Sequence, residues 1–133
     1  MADVLVSQDP ALRARAFLKR YFDPVEVRVP PKWDWKSLLI VLTDNGGSGE
    51  YSKVLSECLL TVEVSHPSIK TASETSRRIL GLLHEWPLLE DGVYWRSEVG
   101  RPAYQPDDDT HVPSYIFTVS LAFRSDLVTL NPR

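Results

Sequence analysis

The residues best suited to chemistry in this sequence are an acidic run and a neighbouring histidine, namely Asp107, Asp108, Asp109 and His111. Neighbouring carboxylates can bind a hard cation, and they can raise one another's pKa until one of them serves as a general acid. Consecutive acidic residues in a proline-flanked loop point in different directions, however, and such charge runs usually stay solvated. We therefore expect a polar loop between two strands. A small hydrolase or metal-dependent enzyme is the alternative that this cluster leaves open.

The three histidines do not have the spacing of a metal or catalytic site. His66 stands beside Pro67 at the end of a predicted strand, and His84 lies near the end of a predicted helix. Neither these two nor His111 has a second histidine four residues away, the helical spacing that brings two imidazoles to one metal ion. We therefore predict no catalytic residue, no metal and no cofactor.

A turn-rich segment, Asp44-Asn45-Gly46-Gly47-Ser48-Gly49, also lacks the pattern of a catalytic loop. Ser48 does not have the Gly-x-Ser-x-Gly spacing of a nucleophile elbow, and no predicted helix follows it. No Gly-Lys-Ser/Thr closes the segment, as a phosphate-binding loop requires. Every residue here is a turn former or tolerates positive φ, so the segment predicts a flexible loop.

The elements around these loops predict an α+β fold, a mostly antiparallel sheet with two main helices packed on it, because strands come in runs rather than in strict alternation with helices. The strongest pattern is Cys58–Ser65, where one face carries Cys58, Leu60, Val62 and Val64 and the other, polar face carries Leu59, Thr61, Glu63 and Ser65. The predicted order is α-β-β-β-α-β-β: a helix from Asp9 to Asp23, strands at Val25–Val29, Ser37–Thr43 and Cys58–Ser65, a helix from Thr71 to Trp86, an interrupted strand at Val93–Tyr104, and a strand at Tyr115–Arg124.

Capping signals predict where the two helices begin. Asp9 followed by Pro10 is a favourable start, with Asp9 as N-cap and proline at the first helical position. Thr71 and Glu74 have the spacing of a capping box, in which each side chain satisfies the other residue's amide. The second helix carries an apolar stripe of Ala72, Ile79, Leu83 and Trp86, which predicts a core-facing surface.

The composition fits one ordinary globular domain, 1–133, with a net charge of −3. This charge argues against a nonspecific nucleic-acid binder, which needs clustered positive charge. Cys58 is the only cysteine, so no disulfide can form within the chain. The longest apolar run, Leu38 to Leu42, is too short to cross a membrane, and the N-terminal residues do not read as a signal peptide. We expect a soluble protein that is intracellular at synthesis.

Trp33 and Trp35 flank Asp34 in a basic loop, Pro31 to Lys36. If this segment is extended, both rings point the same way and can anchor an interface. Alternatively, one ring closes the edge of the core and the other covers apolar surface, since tryptophan is amphipathic and suits either place. The residue types favour both interpretations equally.

The whole layout resembles the tail terminator (head-tail joining, or minor tail) proteins of long-tailed bacteriophages. The resemblance spans nearly the whole chain and rests on pattern and short phrases. The matching features are an N-terminal helix, a strand that ends in a turn-rich loop, the strand Leu60–Pro67 with the helix start Thr71–Glu74, the segments Gly92–Tyr94 and Glu98–Ala103, Pro106-Asp107, and the final strand Tyr115–Val119.

This resemblance implies a structural, non-enzymatic virion protein. Such proteins form a sixfold ring on the head-proximal end of the tail tube, stop polymerisation of the tail-tube protein and present a surface to the head-tail connector protein. DNA passes through the lumen, no membrane is involved, and the protein resides in the virion tail after assembly in the host cytoplasm. The negative net charge suits this role, because a channel wall that bound DNA tightly would obstruct passage. A head-completion or connector adaptor of the same virion, or another small interaction module, is the alternative.

Two long polar segments are the predicted contacts to neighbouring subunits or to the tube: Asp44–Tyr51 and Pro102–Pro113. Loops that serve only as connections are usually shorter, and we expect these to become ordered on assembly. With the tryptophan pair, the candidate interface residues are Trp33, Trp35, Asp44, Gly46, Gly47, Gly49, Tyr51, Tyr104, Asp107, Asp108, Asp109 and His111.

Overall fold

A five-stranded sheet with two helices on one face forms the body of the molecule. The computed structural model describes residues 1–47, 52–106 and 108–133. It confirms the predicted α+β class, and the predicted element order holds once a strand is added at each end. The elements are β1 (Ala2–Val6), α1 (Pro10–Leu18), β2 (Val25–Glu26), β3 (Leu39–Asp44), β4 (Leu55–Ser65), α2 (Ile69–Leu89), β5 (Val93–Tyr104), β6 (Ser114–Arg124) and β7 (Asp126–Leu130).

The strands of the sheet follow the order β2-β3-β4-β6-β5, and only the short β2–β3 pair is parallel. Because β3 runs toward Asp44 and β5 runs toward Tyr104, we call the two ends of the sheet the Asp44 end and the Tyr104 end. The first residues of β4 and β5 and the last residue of β6 lie at the Asp44 end. The first residues of β3 and β6 and the last residue of β4 lie at the Tyr104 end.

Trp86 of α2 lies at the centre of the contact between the helices and the sheet. Its ring is fully buried, stacks on Phe17 of α1 with 4.7 Å between ring centroids, and meets Phe123 of β6 edge-on at 5.5 Å. The indole Nε1–H donates to the carboxylate of Glu90 at 2.8 Å, so the buried polar atom is satisfied. The predicted stripes are confirmed, since Ala72, Ile79, Leu83 and Trp86 of α2 and Cys58, Leu60, Val62 and Val64 of β4 are all buried.

The predicted start of α1 is confirmed, whereas the predicted start of α2 is wrong. Asp9 caps α1 by accepting a hydrogen bond from the Leu12 amide at 3.0 Å. In α2 the N-cap is Ser68, whose hydroxyl accepts from the Thr71 amide at 3.3 Å. Ser68 has extended backbone angles and precedes a helix that begins at Ile69, so Thr71 is already helical. Glu74 lies 4.0 Å from Lys70 in an i,i+4 ion pair within the helix.

Other predicted boundaries differ because tertiary contacts override local patterns. Helix α1 ends at Leu18 rather than at Asp23, and α2 continues through Pro87 to Leu89. Strand β2 is only Val25–Glu26, and β3 runs from Leu39 to Asp44 rather than from Ser37 to Thr43. Ser65, predicted on the polar face of β4, is on that face but buried.

Strands β1 and β7 pair antiparallel and form a separate two-stranded sheet, which we call the terminal ribbon. Ala2 lies opposite Leu130, and Val6 lies opposite Asp126. The two strands of the ribbon pair with each other and make little contact with the other described helices and strands. Neither strand was predicted from the sequence.

Candidate functional site

The face of the sheet opposite the helices carries a set of hydroxyl side chains that pair across β4 and β6. In the described chain, both helices pack on the other face. The Thr61 and Thr118 hydroxyls lie 2.8 Å apart, and those of Ser65 and Ser114 lie 2.7 Å apart. Strand register places the following polar residues here, and we call this side of the sheet the hydroxyl face: Thr43, Glu57, Thr61, Glu63, Ser65, Ser114, Thr118 and Ser120. The same register places five apolar residues among them: Leu39, Val41, Leu59, Ile116 and Ala122.

Hydrogen bonds within this surface satisfy its polar groups without a ligand. Ser120 donates to the Glu57 carboxylate at 3.0 Å, and the Asn45 side-chain amide donates to the Thr61 hydroxyl. Ser120 is only 3% exposed, so this pairing removes the cost of burying an unsatisfied hydroxyl. The hydroxyl groups of β4 and β6 on this face are therefore paired with one another or with Glu57 and are not free donors.

The part of this face formed by β3, β4 and β6 carries two negative side chains and one positive side chain. Its ionisable side chains within β3, β4 and β6 are the carboxylates of Glu57 and Glu63, together with Arg124 at the last position of β6. No other residue of these three strands, all of which the structure describes, is lysine or arginine. A phosphate backbone near the middle of these strands would meet hydroxyls, carboxylates and apolar side chains, none of which replaces its counterions.

At the Asp44 end, hydrogen bonds and a close backbone approach hold the turn that follows β3. The Asp44 carboxylate accepts from the Gly46 amide at 2.8 Å, and the Leu59 amide donates to the Gly46 carbonyl at 2.7 Å. Gly47 has φ +139°, and a Cβ there would come within 3.2 Å of the Glu57 carbonyl oxygen. The start of the predicted flexible loop is thus held against β4, and a deletion that includes Gly46 would remove pairing as well as loop.

Three of the predicted interface residues lie outside the described residues: Gly49, Tyr51 and Asp107. Ser48 of the turn-rich segment lies outside them too.

A cleft of about 590 Å³ opens beside this turn. Its walls include Leu5 and Val6 of the terminal ribbon, Phe123 of β6 and the Cys58 thiol. Burial, with a smaller contribution from the negative charge of Asp44, raises the pKa of Cys58 from 9.0 to about 12. The thiol therefore stays neutral at physiological pH and lacks the thiolate that nucleophilic chemistry or metal binding needs.

At the Tyr104 end, the acidic loop is anchored on both sides. The Gln105 amide donates to the Ser114 carbonyl at 2.8 Å, and the His66 amide donates to the Pro113 carbonyl at 3.1 Å. Tyr104 is 49% exposed and packs against Tyr115 with 5.5 Å between ring centroids. The other candidates in this loop, Asp108, Asp109 and His111, are exposed, and His111 has φ +58°.

Among the residues that the structure describes, no three histidine, cysteine, aspartate or glutamate side chains converge in a way that could hold a metal ion. The metal-dependent alternative for the acidic loop therefore has no preformed ligand set in the described chain.

The tryptophan loop is bent, so the condition under which both rings would point the same way is not met. Lys32 has φ +58° and Trp35 has φ +61°, which turns the chain on both sides of Asp34. Trp33 and Trp35 are each half-buried. Trp33 Nε1 is buried and has no hydrogen-bond partner among the described residues. An unsatisfied buried donor is costly, which makes Trp33 Nε1 a candidate for a hydrogen bond that the described residues do not supply.

The structure thus divides the predicted site residues between two ends of one sheet. Asp44, Gly46 and Gly47 lie at the Asp44 end. Tyr104, Asp108, Asp109 and His111 lie at the Tyr104 end, and the tryptophan loop leads into β3 at that same end. The hydroxyl face as a unit was not predicted from the sequence. Its alternating Thr61, Glu63 and Ser65 were visible, but their partners on β6 depend on strand register.

No described helix is long and apolar enough to span a membrane. No protein-family model matches this sequence, and comparison with curated proteins finds no match.

Proposed function

We propose that this chain is a tail-terminator protein, which forms a ring on the head-proximal end of a phage tail tube, ends its polymerisation and joins it to the head connector. The single observation that carries the proposal is the hydroxyl face, on which no described helix packs and whose strands β3, β4 and β6 carry a single basic side chain, Arg124 at the end of β6. Such a surface suits the wall of a passage through which DNA must slide. Basic side chains there would bind phosphates and slow the passage.

The placement of the loops supports the same role. A terminator contacts the tube on one side and the connector on the other, so its contact residues belong at two separate places. The turn at Asp44–Gly47 and the loop that follows Tyr104 lie at opposite ends of the sheet. One face and two ends thus give three surfaces for three partners: DNA, tube and connector.

The two edges of the sheet are unlike, as a ring requires. A closed ring uses heterologous contacts, in which one patch on each subunit meets a different patch on the next. One edge is formed by β2 and the remainder of β3. The other is β5, whose register shifts around Gly100 and Pro102 interrupt regular pairing and protect it from indiscriminate strand addition.

The native mass of the purified protein, with and without the tail-tube protein of the same phage, tests the ring. We expect a species of six times the monomer mass, either free or on addition of tubes. A monomer at all concentrations and in the presence of tubes would refute the ring and favour the head-completion or connector adaptor.

A second experiment tests which surface lines the passage. Thr43 is exposed and lies opposite Thr61, so Thr43→Lys adds one positive charge per subunit to the hydroxyl face. Thr43→Gln is the matched control, with similar length and no charge. We expect rings of the lysine variant to bind a short DNA duplex roughly tenfold more tightly at low salt, with the difference shrinking as salt rises. Equal affinities for the two rings would show that this face does not line the passage.

A further inference from the structure

The terminal ribbon is attached to the body of the molecule through few contacts. Its apolar side chains remain largely in solvent: Leu5 is 44% exposed, Leu127 70% and Leu130 52%. A two-stranded ribbon without a packed face is at best marginally stable in water. The contacts at its root therefore decide how it is held.

Gln8 is the residue that connects this root to the domain. Its side-chain amide donates to the carbonyl of Arg124, the last residue of β6, at 3.0 Å, and to the carboxylate of Asp126, the first residue of β7, at 3.3 Å. Its carbonyl oxygen accepts from the Arg13 guanidinium at 2.5 Å. Gln8 lies two positions after the end of β1 and is hydrogen-bonded to the first residue of β7, so it links both strands of the ribbon at their root.

Arg13 carries the connection from Gln8 into the helical layer. Its guanidinium donates to the Asp91 carbonyl at 2.7 Å and lies 3.9 Å from the Glu90 carboxylate. It also lies 6.0 Å from the ring centroid of Trp86 and 5.7 Å from that of Phe123. These contacts hold Arg13 against the core, and the hydrogen bonds of Gln8 link Arg13 to the ribbon.

Space for a second position of the ribbon lies directly beside it. The cleft of about 590 Å³ is lined on one side by Leu5, Val6 and Ser7 and on the other by Cys58 and Phe123. A ribbon released at its root could close over this cleft and bury apolar side chains that are now exposed, which is a favourable direction of movement.

We propose that the terminal ribbon is a strap that opens and closes as a unit against this cleft, and that Gln8 is the latch that holds it in the observed orientation. The ribbon amides then exchange with solvent through this local opening, whereas the amides of β4 and β6 exchange only through much rarer unfolding of the body. The inference concerns the isolated chain and does not depend on ring formation.

Hydrogen–deuterium exchange on the wild-type protein and on Gln8→Ala tests the latch. Gln105→Ala is the matched control, because that side chain is exposed at the opposite end of the sheet. We expect amides of β1 and β7 to exchange about tenfold faster in Gln8→Ala, as the loss of side-chain hydrogen bonds allows, while those of β4 and β6 and the whole Gln105→Ala protein stay unchanged.

Gln8→Glu separates the bonds from the packing, since it keeps the shape and the acceptor for Arg13 but loses the donor to Arg124 and Asp126. It should release the ribbon as the alanine variant does. Ribbon amides that exchange as slowly as the amides of β4 and β6 in the wild type would overturn the proposal. Exchange rates in Gln8→Ala that match the wild type would overturn it as well.

Discussion

Trp86→Ala is expected to remove a large part of the stability of this domain. The ring is fully buried between Phe17 and Phe123, so its deletion leaves a cavity where both helices meet the sheet. Replacement of a buried aromatic side chain by alanine costs about 3–5 kcal/mol. A domain of this kind is stable by about 5–15 kcal/mol, so the variant should be markedly destabilised.

Trp86→Phe separates the contribution of ring packing to this loss of stability from the contribution of the hydrogen bond to Glu90. Phenylalanine keeps an aromatic ring between its two neighbours but cannot donate to Glu90, whose side chain is 29% exposed and can recruit water instead. We expect a loss of about 1 kcal/mol from the hydrogen bond, with a further small loss from the smaller ring. Most of the effect of the alanine variant should therefore come from packing.

Urea unfolding followed by circular dichroism measures both variants, because this signal does not depend on the tryptophan removed. Leu88→Ala is the control on the same helix, since Leu88 is 82% exposed, and it should change the free energy of unfolding by less than about 0.5 kcal/mol. If Trp86→Ala cost no more than Leu88→Ala, the reasoning that this ring joins the helices to the sheet would be refuted.

Two further predictions concern the cap of α2 and the buried thiol. Ser68→Ala should lower the free energy of unfolding by about 1 kcal/mol because it removes the N-cap acceptor, whereas Glu74→Ala should have little effect. Equal losses of stability in the two variants would instead support the capping box formed by Thr71 and Glu74. The pKa of Cys58 is raised from 9.0 to about 12 in the folded protein. Above pH 9 the thiol of the unfolded chain therefore ionises while the folded protein keeps it protonated. The stability that the buried thiol contributes is thus present below pH 9 and lost as the pH rises toward 12. Between pH 9 and 10 the wild type should lose about 1 kcal/mol more than Cys58→Ala in denaturant unfolding, and parallel curves for the two proteins would contradict burial of the thiol.

The parts of the fold that could be predicted from sequence are those with strong local patterns. The alternation in β4 and the apolar stripe of α2 each repeat several times within one element, and burial follows them. The start of α2 shows the limit of local patterns. Ser68 and Thr71 both have suitable side chains, and only the backbone angles at Ser68 decide between them.

The remaining features depend on contacts between distant parts of the chain. Strands β1 and β7 are short and pair the two ends of the sequence, so neither has a local signal of a partner. The hydroxyl face likewise requires the register that sets Thr61 opposite Thr118. The candidate loops were visible as turn-rich segments, but their separation to opposite ends follows from strand direction alone. The bend at Trp35 comes from a positive φ that tryptophan rarely adopts.

The antiparallel register of the terminal ribbon has a practical consequence for protein engineering. Ala2 lies opposite Leu130 at the outer tip of the ribbon. A tag or fusion partner attached before Ala2 therefore projects from the same point as one attached after Leu130. Moving an affinity tag from one terminus to the other therefore does not move it to a different surface. The same proximity favours circular permutation, since a short linker across the tip can join the two strands that are already paired.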